Sequence, residues 1–245
     1  MQLIKSIVLV FSTIALPLSA QDKVRLQFAN INKVAPGLSG TIRVADEPST
    51  VTIHYRWQQA TDSMSAWYQA PAQFDHNSPS GTGIWSFAFV APNAAPSAAD
   101  FDFYVTAVLP YGRQQDGSEQ NPYRIGNGYI DTKRPRMALG ESKFGIESAY
   151  LSPRSGGSWF ITAWTQPEVE EVSSVLSFDG WKSTQVAKAM PAYGLGGLQV
   201  WFIPLQAPGL NELCMAFELK EKDGSFWANN EERNYCFKPA GYPAF

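Results

Sequence analysis

The feature that most constrains the fold is a strict alternation of apolar and polar residues in short segments. From Val51 to Trp57 every second side chain is apolar and the side chains between them are polar. The segments 101–107, 159–163 and 213–219 alternate in the same way, and glycine-containing turns separate such segments. No apolar pattern of helical period reaches a useful length. The sequence therefore predicts an all-β chain of immunoglobulin-like antiparallel β-sandwiches.

An internal repeat predicts two such sandwiches in tandem. Trp85 and the Ala91-Pro92 pair have counterparts at the same spacing in Trp201 and the Ala207-Pro208 pair. The segment 100–112 also matches 212–224 in length and in its terminal glycine. We therefore predict modules at residues 21–134 and 135–245, because the basic run around 131–137 breaks any strand pattern.

The first 20 residues have the pattern of a secretion signal. Lys5 precedes an apolar stretch at 7–18, which polar residues and a proline interrupt, and small residues end at Ala20. The stretch is too short and too interrupted for a good membrane span. We expect a secreted or periplasmic protein with no membrane insertion after cleavage.

The charge balance argues against partners that are polyanions. The formal net charge is −3, and no basic stripe occurs, so neither nucleic acid nor an anionic membrane surface is expected as a partner. Aromatic residues make up 13% of the chain against 17% charged residues, which suggests that some aromatic surface serves binding.

The stretch 223–237 combines aromatic and amide side chains at one predicted sheet edge. A tight turn at Asp223-Gly224 leads into a strand with Phe226 and Trp227, and a polar loop follows. Trp227 offers a flat apolar face, and the nearby asparagines both donate and accept hydrogen bonds. A sugar ring presents C–H groups rimmed by hydroxyls, which matches this combination.

Two segments of the second module resemble the family-21 carbohydrate-binding module, the starch-binding type. The segment 172–184 contains a strand, a polar turn and the Trp181-Lys182 pair. The segment 216–235 contains a strand, two aromatic residues, several asparagines and a closing Asn-Tyr. Ala228 departs from the family, which has aspartate there, and Glu231 and Glu232 also depart from it.

The resemblance implies sandwiches of six to eight strands that hold α-glucan on aromatic platforms. Trp181 and Trp227 would stack on sugar rings, Asn229 and Asn234 would bond hydroxyls, and Lys182 would lie at the rim. Phe226, Asn230 and Tyr235 complete the predicted site. The polysaccharide is the expected partner, and a secreted amylolytic enzyme is a further one.

Other interpretations of these residues stay open at this stage. Trp181 is alternatively the buried tryptophan of an immunoglobulin-type sandwich, and Trp227 is alternatively a core residue. The asparagines alternatively cap a turn, since asparagine tolerates left-handed conformations. Tyr235 suits a scaffold role better than ligand contact.

The first module is similar to the related families 25 and 53, on the segment 52–57 and on Trp67, Tyr68 and Trp85. Its closing segment, 121–129, lacks the Trp-x-Asn-Asn pattern. Trp67 and Tyr68 mark a second candidate site in this module. The alternatives are that the module binds glucan weakly, binds something else or serves as a spacer.

Nothing in the sequence favours catalysis. The two histidines, His54 and His76, belong to no hydrolase or metalloprotease motif, and no cofactor or metal site is expected. His54 lies on the polar face of a strand, and His76 lies in a solvated loop. Asp100 and Asp102 share one strand face and are interpreted as solubilising it. We expect a protein that is not an enzyme.

The two cysteines predict one disulfide. Cys214 and Cys236 are the only cysteines, and an exported chain meets an oxidising compartment. Each lies opposite the apolar face of its strand, so they meet if their strands are neighbours. The alternative is two independent buried thiols.

Taken together, these patterns favour a secreted, non-catalytic protein that binds α-glucan, such as starch, glycogen or malto-oligosaccharide. The alternative is a β-sandwich adhesion or assembly protein whose exposed aromatic residues contact another protein.

Overall fold

The protein is built from antiparallel β-sheets. The computed structural model describes residues 23–31, 36–59, 63–92, 100–126, 134–152, 157–206, 212–230 and 233–238. No helix occurs in these ranges, and every pair of strands is antiparallel. The prediction of an all-β fold made of antiparallel sandwiches is confirmed. The predicted secretion signal at residues 1–20 lies outside the described residues.

The first sandwich contains strands β1 to β10. In chain order they span Val24–Ile31, Gly37–Val44, Thr50–Trp57, Tyr68–Pro71, Gln73–Asn77, Gly83–Val90, Asp100–Leu109, Gly112–Asp116, Tyr123–Gly126 and Met137–Leu139. Sheet I has the order β10-β1-β2-β6-β5. Sheet II has the order β4-β3-β7-β8, and β9 also pairs with β7.

The second sandwich contains strands β11 to β19. They span Phe144–Ser152, Ser158–Thr165, Val169–Ser177, Gln185–Lys188, Met190–Leu195, Leu198–Gln206, Leu213–Glu221, Gly224–Ala228 and Tyr235–Phe237. Sheet III has the order β11-β12-β16-β15. Sheet IV has the order β14-β13-β17-β18, and β19 also pairs with β17.

The two sandwiches share one topology. Strands β1–β9 and β11–β19 occupy equivalent places in their sheets, and β10 is an extra strand beside β1. The register agrees as well, because Leu109 pairs with Gly112 and Glu221 pairs with Gly224. Strand β10 follows the predicted joint at 134–135 yet pairs with the first sandwich. The first sandwich has ten described strands and the second has nine, because short edge strands are included. The family resemblance implied six to eight strands in each.

Each sandwich has a core made by the predicted alternating faces. Val51, Ile53 and Phe103 are buried in the first core. Trp159, Ile161 and Phe217 are buried in the second. Burying such side chains stabilises the fold by about 1.5–3 kcal/mol each. The period of two in the sequence therefore placed the core residues correctly.

A third apolar cluster joins the sandwiches. Met137 and Leu139 of β10 pack with Trp164, Leu198 and Val200 on the outer surface of sheet III. Between them on β10, Ala138 faces the first core instead. The alternation along three residues of β10 thus links both sandwiches.

A buried ion pair accompanies this junction. Glu147 accepts a hydrogen bond from Trp164 Nε1 at 2.8 Å and lies 3.3 Å from Arg136 Nε. The Glu147 carboxylate is only 5% exposed, so its charge requires these partners. The junction is therefore specified by polar contacts as well as by apolar packing.

Candidate functional site

Strand β18 turns Phe226 inward and Trp227 outward. The β17–β18 hairpin has a tight turn at Lys222-Asp223, so that Gly224 begins the strand. Phe226 pairs with Leu219 and packs against the second core, with Lys143 Nζ 5.3 Å from its ring centre. Trp227 is 53% exposed. Trp227 is therefore a surface ring, and its neighbour Phe226 anchors the strand.

The asparagines after β18 form a structured turn. Asn230 and Asn234 have φ values of 53° and 59°, the left-handed region that asparagine tolerates. The Asn234 backbone N–H donates to the Asn229 carbonyl at 2.7 Å, and Asn230 Nδ2 donates to the Asn234 carbonyl at 3.1 Å. Asn230 and Asn234 thus stabilise a turn, which is the alternative role that the sequence analysis left open for the asparagines.

A pocket of about 450 Å³ lies beside Trp227. Trp227, Asn229 and Asn230 line one side of it, and residues from both sandwiches complete it. The remaining lining residues are Gln27, Phe28, Arg43, Glu141, Ser142, Lys143, Phe144, Phe226, Ala228 and Tyr235. This volume falls in the range of small-ligand pockets, about 300–1,000 Å³.

Charged groups stand in the wall of this pocket. Arg43 Nη1 donates to Glu141 Oε1 at 3.3 Å, and Lys143 Nζ donates to Glu221 Oε1 at 2.6 Å. No sequence pattern indicated Arg43, Glu141 or Lys143, because they reach the pocket from strands and connections remote from 223–237. Only the packing of the two sandwiches brings them beside Trp227.

The turn after β18 also contacts the first sandwich. Arg233 Nη1 donates to His76 Nδ1 at 2.8 Å and lies 3.6 Å from Asp75 Oδ2. Asp75 and His76 belong to β5, which is an edge strand of sheet I. This contact links the loop that carries the asparagines to the first sandwich.

Tyr235 supports the pocket from below. Its ring lies edge-on to Phe144 and Phe217, with centroid distances of 5.8 and 5.6 Å. It is partly buried against the second core and also lines the pocket. This placement agrees with the scaffold role that the sequence favoured.

Trp181 is held on a well-bonded turn after β13. Its backbone N–H donates to Ser177 Oγ at 2.8 Å, and its φ is 69°. Asp179 accepts hydrogen bonds from Ser183 Oγ and from the backbone N–H groups of Lys182 and Ser183. These bonds, with the Ser183 hydroxyl first, lower the pKa of Asp179 to about 2. Lys182 is exposed, and Trp181 is 37% exposed.

Trp181 and Trp227 lie at different places on sheet IV. Trp227 pairs with Glu218 of β17, which in turn pairs with Ser173 of β13. Trp181 follows the far end of β13, beyond Ser177, and does not line the pocket beside Trp227. The structure therefore presents two separate rings and not one continuous platform.

Trp67 and Tyr68 of the second candidate site contact different surroundings. Arg56 lies 4.7 Å from the Trp67 ring centre, and the Tyr104 ring lies edge-on at 5.2 Å. Tyr68 instead packs against Tyr55 and Trp57, which belong to the first core. The structure does not bring these two rings into one surface.

The centre of the polar face of sheet II is buried at His54, Asp102 and Thr106, which corrects the interpretation of Asp102. Asp102 does not solubilise the strand, because its side chain is 3% exposed and Arg56 and Arg134 bond its oxygens. His54 is also buried, stacks on Tyr104 and bonds Thr106 Oγ1 at 3.0 Å. The guanidinium groups of Arg56, Arg124 and Arg134 surround Asp102 and offset the free-energy cost of burying its charge.

Cys214 and Cys236 form the predicted disulfide. They stand directly opposite each other on β17 and β19, with a Cα–Cα distance of 4.1 Å. The bridge closes the segment that contains Trp227 and the asparagine turn. A disulfide is compatible with an extracellular location.

Two further searches concern metals and membranes. Within the described ranges, no group of three or more His, Cys, Asp or Glu side chains is placed to hold a metal ion. In the same part of the chain, no helix has the length and apolar character needed to cross a membrane.

Comparison with known proteins adds little to this geometry. No family model matches the chain, and no curated protein matches it. Among solved structures, the chain is similar to a pullulanase complexed with maltotriose from Anoxybacillus sp. LM18-11, with 8% identity and a TM-score of 0.26. The match covers 83% of this chain and 25% of the pullulanase chain. A TM-score this low supports no conclusion about fold or function.

Proposed function

We propose that this protein is an exported, non-catalytic carbohydrate-binding protein that binds α-glucan in the pocket beside Trp227. The observation that carries the proposal is an exposed tryptophan ring at the rim of a pocket with amide and charged groups. Such a ring offers a flat apolar face to the C–H groups of a sugar. No other aromatic ring of the described residues stacks on Trp227.

The polar wall suits the hydroxyls of a sugar. Arg43, Glu141 and Lys143 offer both donors and acceptors, and hydrogen bonds to charged groups are stronger than neutral ones. The amide of Asn229 lies in the same wall. In a largely preformed pocket, a small number of polar groups of this kind is enough to fix the orientation of a ligand.

The concave shape favours an α-glucan over a flat chain. The single Trp227 ring beside the pocket fits a curved glucan chain, whereas a flat glucan chain needs several coplanar aromatic rings. The resemblance of segments 172–184 and 216–235 to the starch-binding module supports the same ligand. A polysaccharide is thus the proposed partner, and a secreted amylolytic enzyme a secondary one.

Affinity electrophoresis tests the proposal. Gels that contain glycogen or amylose should retard the chain, and gels with a soluble β-glucan should not. Trp227→Ala should weaken glycogen binding by about 1–3 kcal/mol, as expected for a central ring. Tyr111→Ala is the matched control, because Tyr111 is equally exposed on the β7–β8 turn but lies outside the pocket.

Two results would contradict the proposal. Equal mobility in all gels would exclude glucan binding. Release of new reducing ends from maltoheptaose by the purified chain would show that the protein is an enzyme.

A further inference from the structure

The outer surface of sheet III carries apolar side chains in both of its halves. Its first half, around Trp164 and Val200, is covered by β10 of the first sandwich. The second half is open and carries Tyr150, Phe160 and Phe202. Tyr150 is 56% exposed, and Met190 next to Phe202 on the edge strand β15 is 49% exposed.

Three of these residues form a row across three neighbouring strands, which we call the aromatic ladder: Tyr150 on β11, Phe160 on β12 and Phe202 on β16. The centroid distances are 5.3 Å for Tyr150–Phe160 and 5.8 Å for Phe160–Phe202, and the ring planes differ by 26° and 18°. Rings this close and nearly parallel overlap partly face to face. Their flat faces are turned toward each other, so the ladder is a poor sugar platform.

Among the described residues, the outward positions of the open half carry no charged side chain. Its outward positions, by alternation from the buried Trp159 and Ile161, are Ser148, Tyr150, Ser152, Ser158, Phe160, Thr162, Met190, Phe202, Pro204 and Gln206. The outer surface of sheet IV differs, since Glu171 there pairs with both Lys188 and Lys220. Aromatic residues and methionine without charges are the composition of the centre of a protein–protein interface.

We propose that the aromatic ladder binds the same surface of a second copy of this chain, which gives a two-fold symmetric dimer. The open half is continuous with the junction, where the same surface already packs against a sheet of this chain. A two-fold interface joins the same patch of both copies, so a patch without charges brings no like charges together. The small formal net charge of −3 opposes association only weakly.

Sedimentation equilibrium of the purified chain tests this dimer. The expected result is a monomer–dimer equilibrium, and Tyr150→Glu should raise the dimer dissociation constant by at least ~10-fold. Tyr150 lies on an edge strand and is exposed, so the change leaves both cores intact. Val186→Glu is the matched control, because Val186 is 73% exposed on the outer surface of sheet IV, and it should leave the dimer unchanged.

A charge-exchange experiment strengthens the test. Tyr150→Glu and Tyr150→Lys should each sediment as monomers, and an equal mixture of the two should recover dimer. A chain that is monomeric at every concentration would overturn the proposal. So would a dimer that Tyr150→Glu leaves unchanged, or one that Val186→Glu disrupts equally.

The dimer does not depend on the proposed glucan site. Trp227→Ala should leave sedimentation unchanged, and Tyr150→Glu should leave retardation by glycogen unchanged. Loss of glycogen retardation in Tyr150→Glu, with the chain monomeric throughout, would make the ladder a sugar-binding surface instead and overturn the dimer.

Discussion

At strands β7 and β9 of the first sandwich, Asp102 faces Arg124, whereas at the equivalent strands β17 and β19 Cys214 faces Cys236. The first pair is part of a buried ion cluster, since Arg56 and Arg134 also bond Asp102. The second pair is a disulfide. The same pair of strands is therefore joined by ion pairs in the first sandwich and by a covalent bond in the second.

The neighbouring strands differ in the same way. Gln115 of β8 stands where β18 has Trp227, and Asp116 stands where β18 has Ala228. Asp116 Oδ2 accepts hydrogen bonds from the Leu26 backbone N–H at 2.7 Å and from the Tyr123 hydroxyl at 2.9 Å. A carboxylate there ties β8 to the opposite sheet. A methyl group in its place leaves Ala228 in the wall of the pocket.

The two tryptophan-bearing connections complete the comparison. Trp67 precedes β4 and is packed between Arg56 and Tyr104, whereas Trp181 precedes the equivalent strand β14 and is exposed. The first sandwich uses its aromatic and charged residues to cover its own surface. The second sandwich leaves equivalent positions available for a ligand.

Removal of the central charge of the first sandwich should have the largest effect. Asp102→Ala leaves three arginines without their buried partner, which should lower the free energy of unfolding by about 3–5 kcal/mol. Urea denaturation measures it. Asp46→Ala is the control, because Asp46 pairs with Lys23 at the surface. Equal effects of the two changes would contradict a buried, essential Asp102.

Removal of the disulfide should have the next largest effect. The bridge closes a segment with a sequence separation of 22, so that Cys214→Ala with Cys236→Ala should cost about 3 kcal/mol of stability. Urea unfolding of the double variant measures this cost. Mass spectrometry of the unreduced chain should also find it lighter than the reduced chain by two hydrogen atoms. Free thiols on both residues in freshly exported protein would show that the bridge does not form.

The equivalent tryptophans should then separate stability from binding. Trp67→Ala removes a cation–π and an edge-to-face contact, so that stability should fall by about 1–2 kcal/mol with glycogen affinity unchanged. Trp181 is a second exposed ring outside the pocket that a long glucan could also contact, so Trp181→Ala should weaken glycogen binding less than Trp227→Ala does and leave the melting temperature nearly unchanged. Calorimetry and titration of both variants check this. A Trp181→Ala chain that melts early with full affinity would reverse the assignment.

A decrease in pH should have the smallest effect on stability. It should destabilise the first sandwich at a higher pH than the second. Burial, with help from Arg113, lowers the pKa of His54, so below pH 6.5 the unfolded chain binds a proton that the folded chain does not. Stability should therefore fall as the pH drops through this range, and less so in His54→Gln. Asp179 is already ionised in both states there, and the stability from its bonds is lost only as the pH falls from 3.8 through about 2.

Urea unfolding at a series of pH values between about 7 and 5 measures the His54 contribution. Asp179→Asn is the control for the same series, because it should not change the slope in this range. Identical slopes for the unchanged chain and His54→Gln would show that His54 does not carry the effect.

The sequence by itself determined the strand class and which side of the main strands faces each core. Alternation placed the core residues of both sandwiches, and the repeat agrees with their common strand order. Alternation along the strands placed both cysteines on the outer side. It did not decide which of Phe226 and Trp227 points inward, because that depends on the register of β18 on β17. These properties are local, because a period of two fixes the face of each residue.

Tertiary structure alone decided how the pocket is completed. Gln27, Arg43 and Glu141 reach Trp227 because β10 packs the first sandwich against sheet III, and no local pattern encodes that contact. The same packing covers half of the outer surface of sheet III and leaves the aromatic ladder open. Contacts between residues more than 80 positions apart depend on how whole sheets pack, which the alternation within one strand does not specify.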